Sequence, residues 1–252
     1  MRPAWLALVA ACSTGGGTAI DGGPPPIDAV VPDGADTFSL GGQIVDIGGV
    51  AVGGAQICMA GGVTSPCATT DSLGDYTIAI PGQPPDTSIT EVVTATGFPT
   101  LQTLQTEEEP GEFIWSSTIP IYSDAEAAAL LGSAAGFTFP DAAHGFLMMR
   151  VDATGATAAI ASGGSGGTIV YTGSDGGPAP GSAATGAPNG TILFGGLPPG
   201  TYQIDVTAPG KTCTCSPDGE LIAGDWLPTG SATVTAPVAA ATITDYLTVT
   251  CN

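Results

Sequence analysis

The feature that most limits what this chain can become is how often it is interrupted. Glycine (39) and proline (22) account for close to a quarter of the 252 residues. A chain broken this often builds short strands joined by turns and has little room for long helices. Between the breaks the apolar residues recur with a period of two, as in a half-buried strand. The clearest stretch is Asp75-Tyr76-Thr77-Ile78-Ala79-Ile80, closed by Pro81-Gly82, and Gln43-Ile44-Val45-Asp46 and Ala55-Gln56-Ile57-Cys58-Met59 read the same way. Gly48-Gly49, Gly53-Gly54 and Ser72-Leu73-Gly74 supply turns, because glycine tolerates the positive φ of tight hairpins. Thr90 to Thr96 and Phe113 to Tyr122 are further strands, with a corner at Gly97-Phe98-Pro99.

Later in the chain the texture is more continuously apolar. Phe146-Leu147-Met148-Met149-Arg150-Val151 has few polar interruptions, Thr168–Tyr171 and Thr191–Phe194 are strand-like, and Thr242 to Thr250 alternates as a closing strand. Between the two regions, Ser123-Asp124-Ala125-Glu126 matches a capping box ahead of Ala127-Ala128-Ala129-Leu130-Leu131. This predicts a short helix that covers an open sandwich end with its leucines in a core. The expected architecture is all-β: a β-sandwich over 38–122, a short helical linker over 123–144 and a second, more divergent sandwich over 145–252. Residues 13 to 37 are rich in Gly, Pro and Asp without apolar periodicity and read as a disordered tether. Its reach is on the order of 30 to 60 Å.

Charge excludes whole classes of partner. Three Lys and Arg face 23 Asp and Glu, a formal net charge of −20. Beyond Arg2 the cations are Arg150 and Lys211 alone, too few to neutralise phosphates, so nucleic acid is not a partner and anionic headgroups repel the chain. The acidity serves the solubility of an exported surface.

The first twelve residues fix an address. Met1-Arg2-Pro3 is a short positive region, and Ala4 to Ala11 is apolar but too short to span a bilayer as a helix. The sequence Val9-Ala10-Ala11-Cys12 resembles the lipobox of bacterial lipoproteins. That resemblance implies that 1–11 is a signal peptide and that Cys12 is acylated, becomes the mature N-terminus and holds the protein to a lipid bilayer. Ser13, in place of Asp, implies the outer membrane or cell surface.

A second resemblance lies in the first sandwich. Gly42-Gln43-Ile44-Val45-Asp46, Gly53-Gly54-Ala55-Gln56-Ile57, Thr70-Asp71-Ser72-Leu73-Gly74-Asp75-Tyr76 and Gly97-Phe98 follow in order over about 65 residues. They resemble the carboxypeptidase regulatory-like domain, with its Gly-rich hairpin, T-D-x-x-G-x-[YF] turn and late G-[YF]. The family implies a transthyretin-like (prealbumin-type) sandwich and a non-catalytic accessory module. Asn189-Gly190-Thr191 and Leu197-Pro198-Pro199-Gly200-Thr201-Tyr202 resemble the same family more distantly, with Thr191 where an aromatic is usual.

Beyond Cys12, five cysteines remain. Cys58 and Cys67 flank a short Gly/Pro loop and are expected to pair, and Cys251 is expected to pair with Cys213 or Cys215, leaving one thiol over. A metal site on Cys213-Thr214-Cys215 lacks further ligands, since His144 is the only histidine. No catalytic, cofactor-binding or metal residue is predicted. Gly163-Gly164-Ser165-Gly166-Gly167 matches G-x-S-x-G but precedes a strand where a nucleophile elbow needs a helix. Glu107-Glu108-Glu109 lacks the spacing of a calcium loop. Lys211 stands too alone and too late for an internal Lys–Asn isopeptide. The functional expectation is a non-enzymatic, membrane-anchored display or interaction module with a protein or glycan partner. The alternative is a carbohydrate-binding lipoprotein with a stacking platform built from Trp115, Tyr202 or Trp226.

Overall fold

Period-two stretches become strands, and one of them joins the two expected sandwiches. A computed structural model describes residues 37–60, 65–81, 88–106, 113–115, 118–164, 166–172, 177–179, 184–185, 190–215 and 231–252. Cys12, the tether before Thr37, Glu107–Glu109, Ser165 and Trp226 lie outside the described residues, as does the Trp115 side chain.

The first region holds β1 (Thr37–Asp46), β2 (Gln56–Ala60), β3 (Cys67–Thr69), β4 (Asp75–Pro81), β5 (Ser88–Ala95), β6 (Phe98–Thr106), β7 (Phe113–Trp115) and β8 (Ile119–Ile121). One α-helical turn, α1 (Asp124–Ala127), runs into a π-helical segment, Ala128–Ala134. After it come β9 (Gly145–Val151), β10 (Thr157–Ser162), β11 (Thr168–Thr172), β12 (Pro178–Ala179) and β13 (Gly190–Leu197). The last four are β14 (Gly200–Thr207), β15 (Cys213–Cys215), β16 (Ser231–Val238) and β17 (Thr242–Cys251).

These strands form three sheets. A ten-stranded sheet runs β12-β11-β13-β9-β17-β6-β5-β2-β3, with β15 paired to the far end of β17. A four-stranded sheet is built on β1, which pairs antiparallel with β4 and parallel with β7 and β8 in turn. The third sheet is β10-β14-β16. The joining strand is β17, which lies parallel to β6 through Thr242↔Thr100 and parallel to β9 through Ile243↔Phe146.

Each face of the large sheet has its own cover. On one face Ile57, Val93, Leu101, Phe146, Met148, Leu193 and Ile243 meet Leu40, Ile44, Tyr76 and Ile78 of the four-stranded sheet, together with Ala127, Leu131 and Ala135 of the helical segment. On the other, Leu147, Met149, Val151, Ile192, Phe194 and Val249 pack against Tyr202, Ile204, Val206, Ala236 and Val238 of the three-stranded sheet. Residues beyond 145 therefore contribute to both cores. The strand β9 is buried on both sides except at Arg150, which explains its nearly continuous apolar run; β2 alternates because one of its faces is open.

The helix forms for the reason its sequence gives. Ser123 Oγ accepts from the Glu126 N–H at 3.3 Å and Glu126 Oε2 accepts from the Ser123 N–H at 2.8 Å, so both halves of the capping box are present. Leu131 is fully buried. Beyond the helix, Phe137 and Phe139 tilt against Phe146, with ring centroids 6.1 and 5.4 Å away. The Phe137 ring occupies the space where a Cβ on Gly195 would stand, so the glycine in β13 makes room for it.

Several strands have no clear local signature in the sequence, β3, β6 and β10 among them. The corner read at Gly97-Phe98-Pro99 is the turn into β6, whose Pro99 falls at the irregularity between the Ala95↔Phe98 and Val93↔Leu101 pairs, where a missing N–H costs the ladder nothing. β10, TAAIAS, is alanine-rich and lies at a sheet edge. β3 is three residues long and held by β2 alone. The single strand expected over Phe113 to Tyr122 is two, β7 and β8, each parallel to a different stretch of β1.

Candidate interaction surface

Thr70, Asp71 and Tyr76 of the T-D-x-x-G-x-Y stretch serve the fold. Thr70 Oγ1 accepts from the Ala55 N–H at 2.9 Å and donates to the Val52 carbonyl at 2.7 Å, tying the start of β2 to the turn before β4. Asp71 Oδ1 accepts from the N–H groups of Leu73 (2.7 Å) and Asp75 (3.1 Å), an Asx-type brace. Gly74 has φ +78°, and a Cβ there would strike the Ile44 carbonyl. Tyr76 donates its hydroxyl to Glu91, a fully buried carboxylate, at 2.8 Å.

The turn that follows β1 uses the same brace. Asp46 Oδ1 accepts from the N–H groups of Gly48 (2.9 Å) and Val50 (2.8 Å). Gln43 Nε2 donates to the Leu73 carbonyl at 2.8 Å, bringing the two turns together. On these turns stand Ile47, Val50 and Leu73, which are 46, 65 and 62% exposed and are the large apolar side chains exposed among the described residues. The N–H groups of Val50 and Leu73 are among those held by the aspartates, so the backbone that carries these side chains is held in place. Sequence reasoning treated both segments only as turns. The available signal was an isoleucine, a valine and a leucine in turns where Asn, Asp, Ser, Gly and Pro usually stand.

The cysteines fall into place. Cys58 and Cys67 face each other across β2 and β3 and are bonded, with Cα atoms 4.1 Å apart. Cys213 is the partner of Cys251, Cα–Cα 3.9 Å, across β15 and β17. This settles the choice between Cys213 and Cys215 and removes Cys213 from any thiolate metal site. Cys215 lies in β15 opposite Val249. Among the described residues no three His, Cys, Asp or Glu side chains are arranged to hold a metal.

Tyr202 is a correction. A place in a sugar-stacking platform needs an open ring face, yet Tyr202 is only 1% exposed and its hydroxyl donates to the Pro198 carbonyl at 2.6 Å. Its ring is covered by the glycine loop. Gly163, at φ +106°, lies so close that a Cβ would strike the Thr201 carbonyl, and a Cβ on Gly164 would come within 3.1 Å of the ring. The glycines match a nucleophile motif in letters and serve here as a lid thin enough to lie on Tyr202.

His144 has a partner, since its Nδ1 lies 2.8 Å from Asp141 Oδ2. Asp141 Oδ1 also accepts from the N–H groups of Ala143 and His144. These bonds, the one from Ala143 first, hold the Asp141 carboxyl below its ordinary pKa. The pair closes the turn ahead of β9. Lys211 Nζ donates to the Cys251 carbonyl at 3.0 Å, so the lone lysine fastens the end of β17.

A polar cluster sits where β17 leaves β6. Arg150 Nη2 donates to Asp245 Oδ2 at 3.2 Å, and the Asp245 side chain is 14% exposed. Burial raises the Asp245 carboxyl above its ordinary 3.8, while the charge of Arg150 and then its hydrogen bond pull the other way. Tyr122 is raised as well, by burial first and then by the charge of Asp245. A carboxyl that rises on folding binds more protons in the native state, so stability falls as pH climbs from the unfolded value through the folded one. Asp245→Asn is expected to flatten that decline. Urea unfolding midpoints from acid to neutral pH check this, and an identical slope in the variant would remove Asp245 as its source.

No protein-family model and no curated protein matches this sequence. Among solved structures the chain is similar to 3-chlorocatechol 1,2-dioxygenase from Rhodococcus opacus 1CP, at 12% identity over 37% of this chain and 62% of that one, TM-score 0.28. It is similar to the Bacillus anthracis TIE protein at 12% identity, covering 86% of this chain and 34% of that one, TM-score 0.28. The streptococcal ancillary pilin is also 12% identical, over 84% of this chain and 62% of that one, TM-score 0.27. The chain thus spans less than two thirds of each of these three.

Proposed function

We propose that this protein is a non-enzymatic display module, anchored to a membrane through acylated Cys12 and presenting the Ile47–Val50–Leu73 end of its β-sandwich to a partner. The observation that carries this reading is the gathering of exposed apolar side chains on two carboxylate-braced turns at one end of the fold. Scattered single apolar residues need no explanation, whereas a rigid group of them at one end suits binding. The lipobox-like Val9-Ala10-Ala11-Cys12 supports the anchor, and the Gly/Pro-rich stretch after it suits a spacer that holds the sandwich off the bilayer.

Full-length protein produced with its own leader in a Gram-negative host fed an alkyne palmitate tests the anchor. The wild type is expected to carry the label and sediment with membranes, and Cys12→Ser to lose both properties. An unlabelled, freely soluble wild type defeats the anchored reading.

A further inference from the structure

We infer that the Ile47–Val50–Leu73 end is a docking surface for a cationic protein that offers basic side chains around an apolar recess; the inference rests on this end being the presented one. Charge identifies the occupant. Between Arg2 and Arg150 the sequence contains no lysine or arginine, so the whole first sandwich lacks a basic residue. The three apolar side chains stand on turns that carry Asp46, Asp71 and Asp75. The cations further along are engaged within the fold, Arg150 on Asp245 and Lys211 on the Cys251 carbonyl.

Any partner therefore approaches through a negative field. A second copy of the chain brings the same sign, and an anionic lipid surface does too, so both are repelled; a basic protein surface is drawn in. Once it arrives, the apolar side chains supply the area removed from water and the aspartates a rim that favours lysine or arginine opposite. Because Asp46 and Asp71 already hold the turns, little chain entropy is lost on docking.

A full-length chain carrying Cys12→Ser tests this independently of the anchor. The probes are a synthetic peptide of alternating lysine and leucine, a control peptide with serine in place of leucine, and uncharged-surface vesicles of phosphatidylcholine. The variant is the triple replacement Ile47→Ser, Val50→Ser and Leu73→Ser, whose folding is checked by circular dichroism and thermal melting. The lysine–leucine peptide is expected to bind the unsubstituted chain about tenfold or more tighter than the triple variant, with the lysine–serine peptide binding both alike. Equal binding of the lysine–leucine peptide to both chains overturns the docking surface. So does association with the vesicles, or self-association without peptide, that the triple replacement abolishes, since either makes the occupant a bilayer or a second copy.

Discussion

Met148→Ala and Met149→Ala are each expected to lower the free energy of unfolding by about 2–5 kcal/mol, although the two residues are neighbours on one strand. In a strand with one wet face, neighbouring positions behave oppositely, because successive side chains point to opposite sides. Here Met148 packs with Phe146 into the core beneath the four-stranded sheet and the helical segment, and Met149 packs with Leu147 into the core beneath the three-stranded sheet. Both are essentially buried, at 3 and 0% exposure. Urea denaturation of the two variants decides the matter. If either sits within about 0.5 kcal/mol of wild type, as surface substitutions usually do, one face of β9 is not covered and the layered arrangement is wrong.

Loss of the two disulfides is expected to be unequal. The Cys213–Cys251 bridge spans 38 residues of sequence and Cys58–Cys67 spans nine. On the chain-entropy account these loops stabilise by about 4 kcal/mol and about 2 to 3 kcal/mol respectively. The larger bridge also fastens β15 to β17, the strand shared by both halves of the large sheet, whereas the smaller one holds a three-residue edge strand. Replacing both cysteines of a pair by serine, and comparing unfolding in the absence of reductant, checks the order. A Cys58/Cys67 variant as destabilised as the Cys213/Cys251 variant contradicts the central role given to β17.

What was legible in the sequence follows from these same layers. β4 was readable residue by residue because its Tyr76 and Ile78 are buried while Asp75, Thr77 and Ala79 are exposed. The capping box was readable because it is local: four consecutive residues contain both donor and acceptor. The Cys58–Cys67 pair was readable from proximity along the chain. The choice between Cys213 and Cys215 was not, because it depends on register against a strand whose position no local pattern encodes. Nor was the position of β17 between β6 and β9 legible, since parallel pairing leaves no hairpin signal. The apolar turn residues were passed over because turn chemistry explains Asp46, Gly49, Asp71 and Gly74 and is silent about what stands between them.

The central position of β17 also has a bearing on folding speed. Thr100 pairs with Thr242 and Phe146 with Ile243, contacts far apart along the chain whose loop-closure entropy has to be overcome before they form. Folding is therefore expected to run more slowly than in a fold of the same size built from neighbouring hairpins or helices.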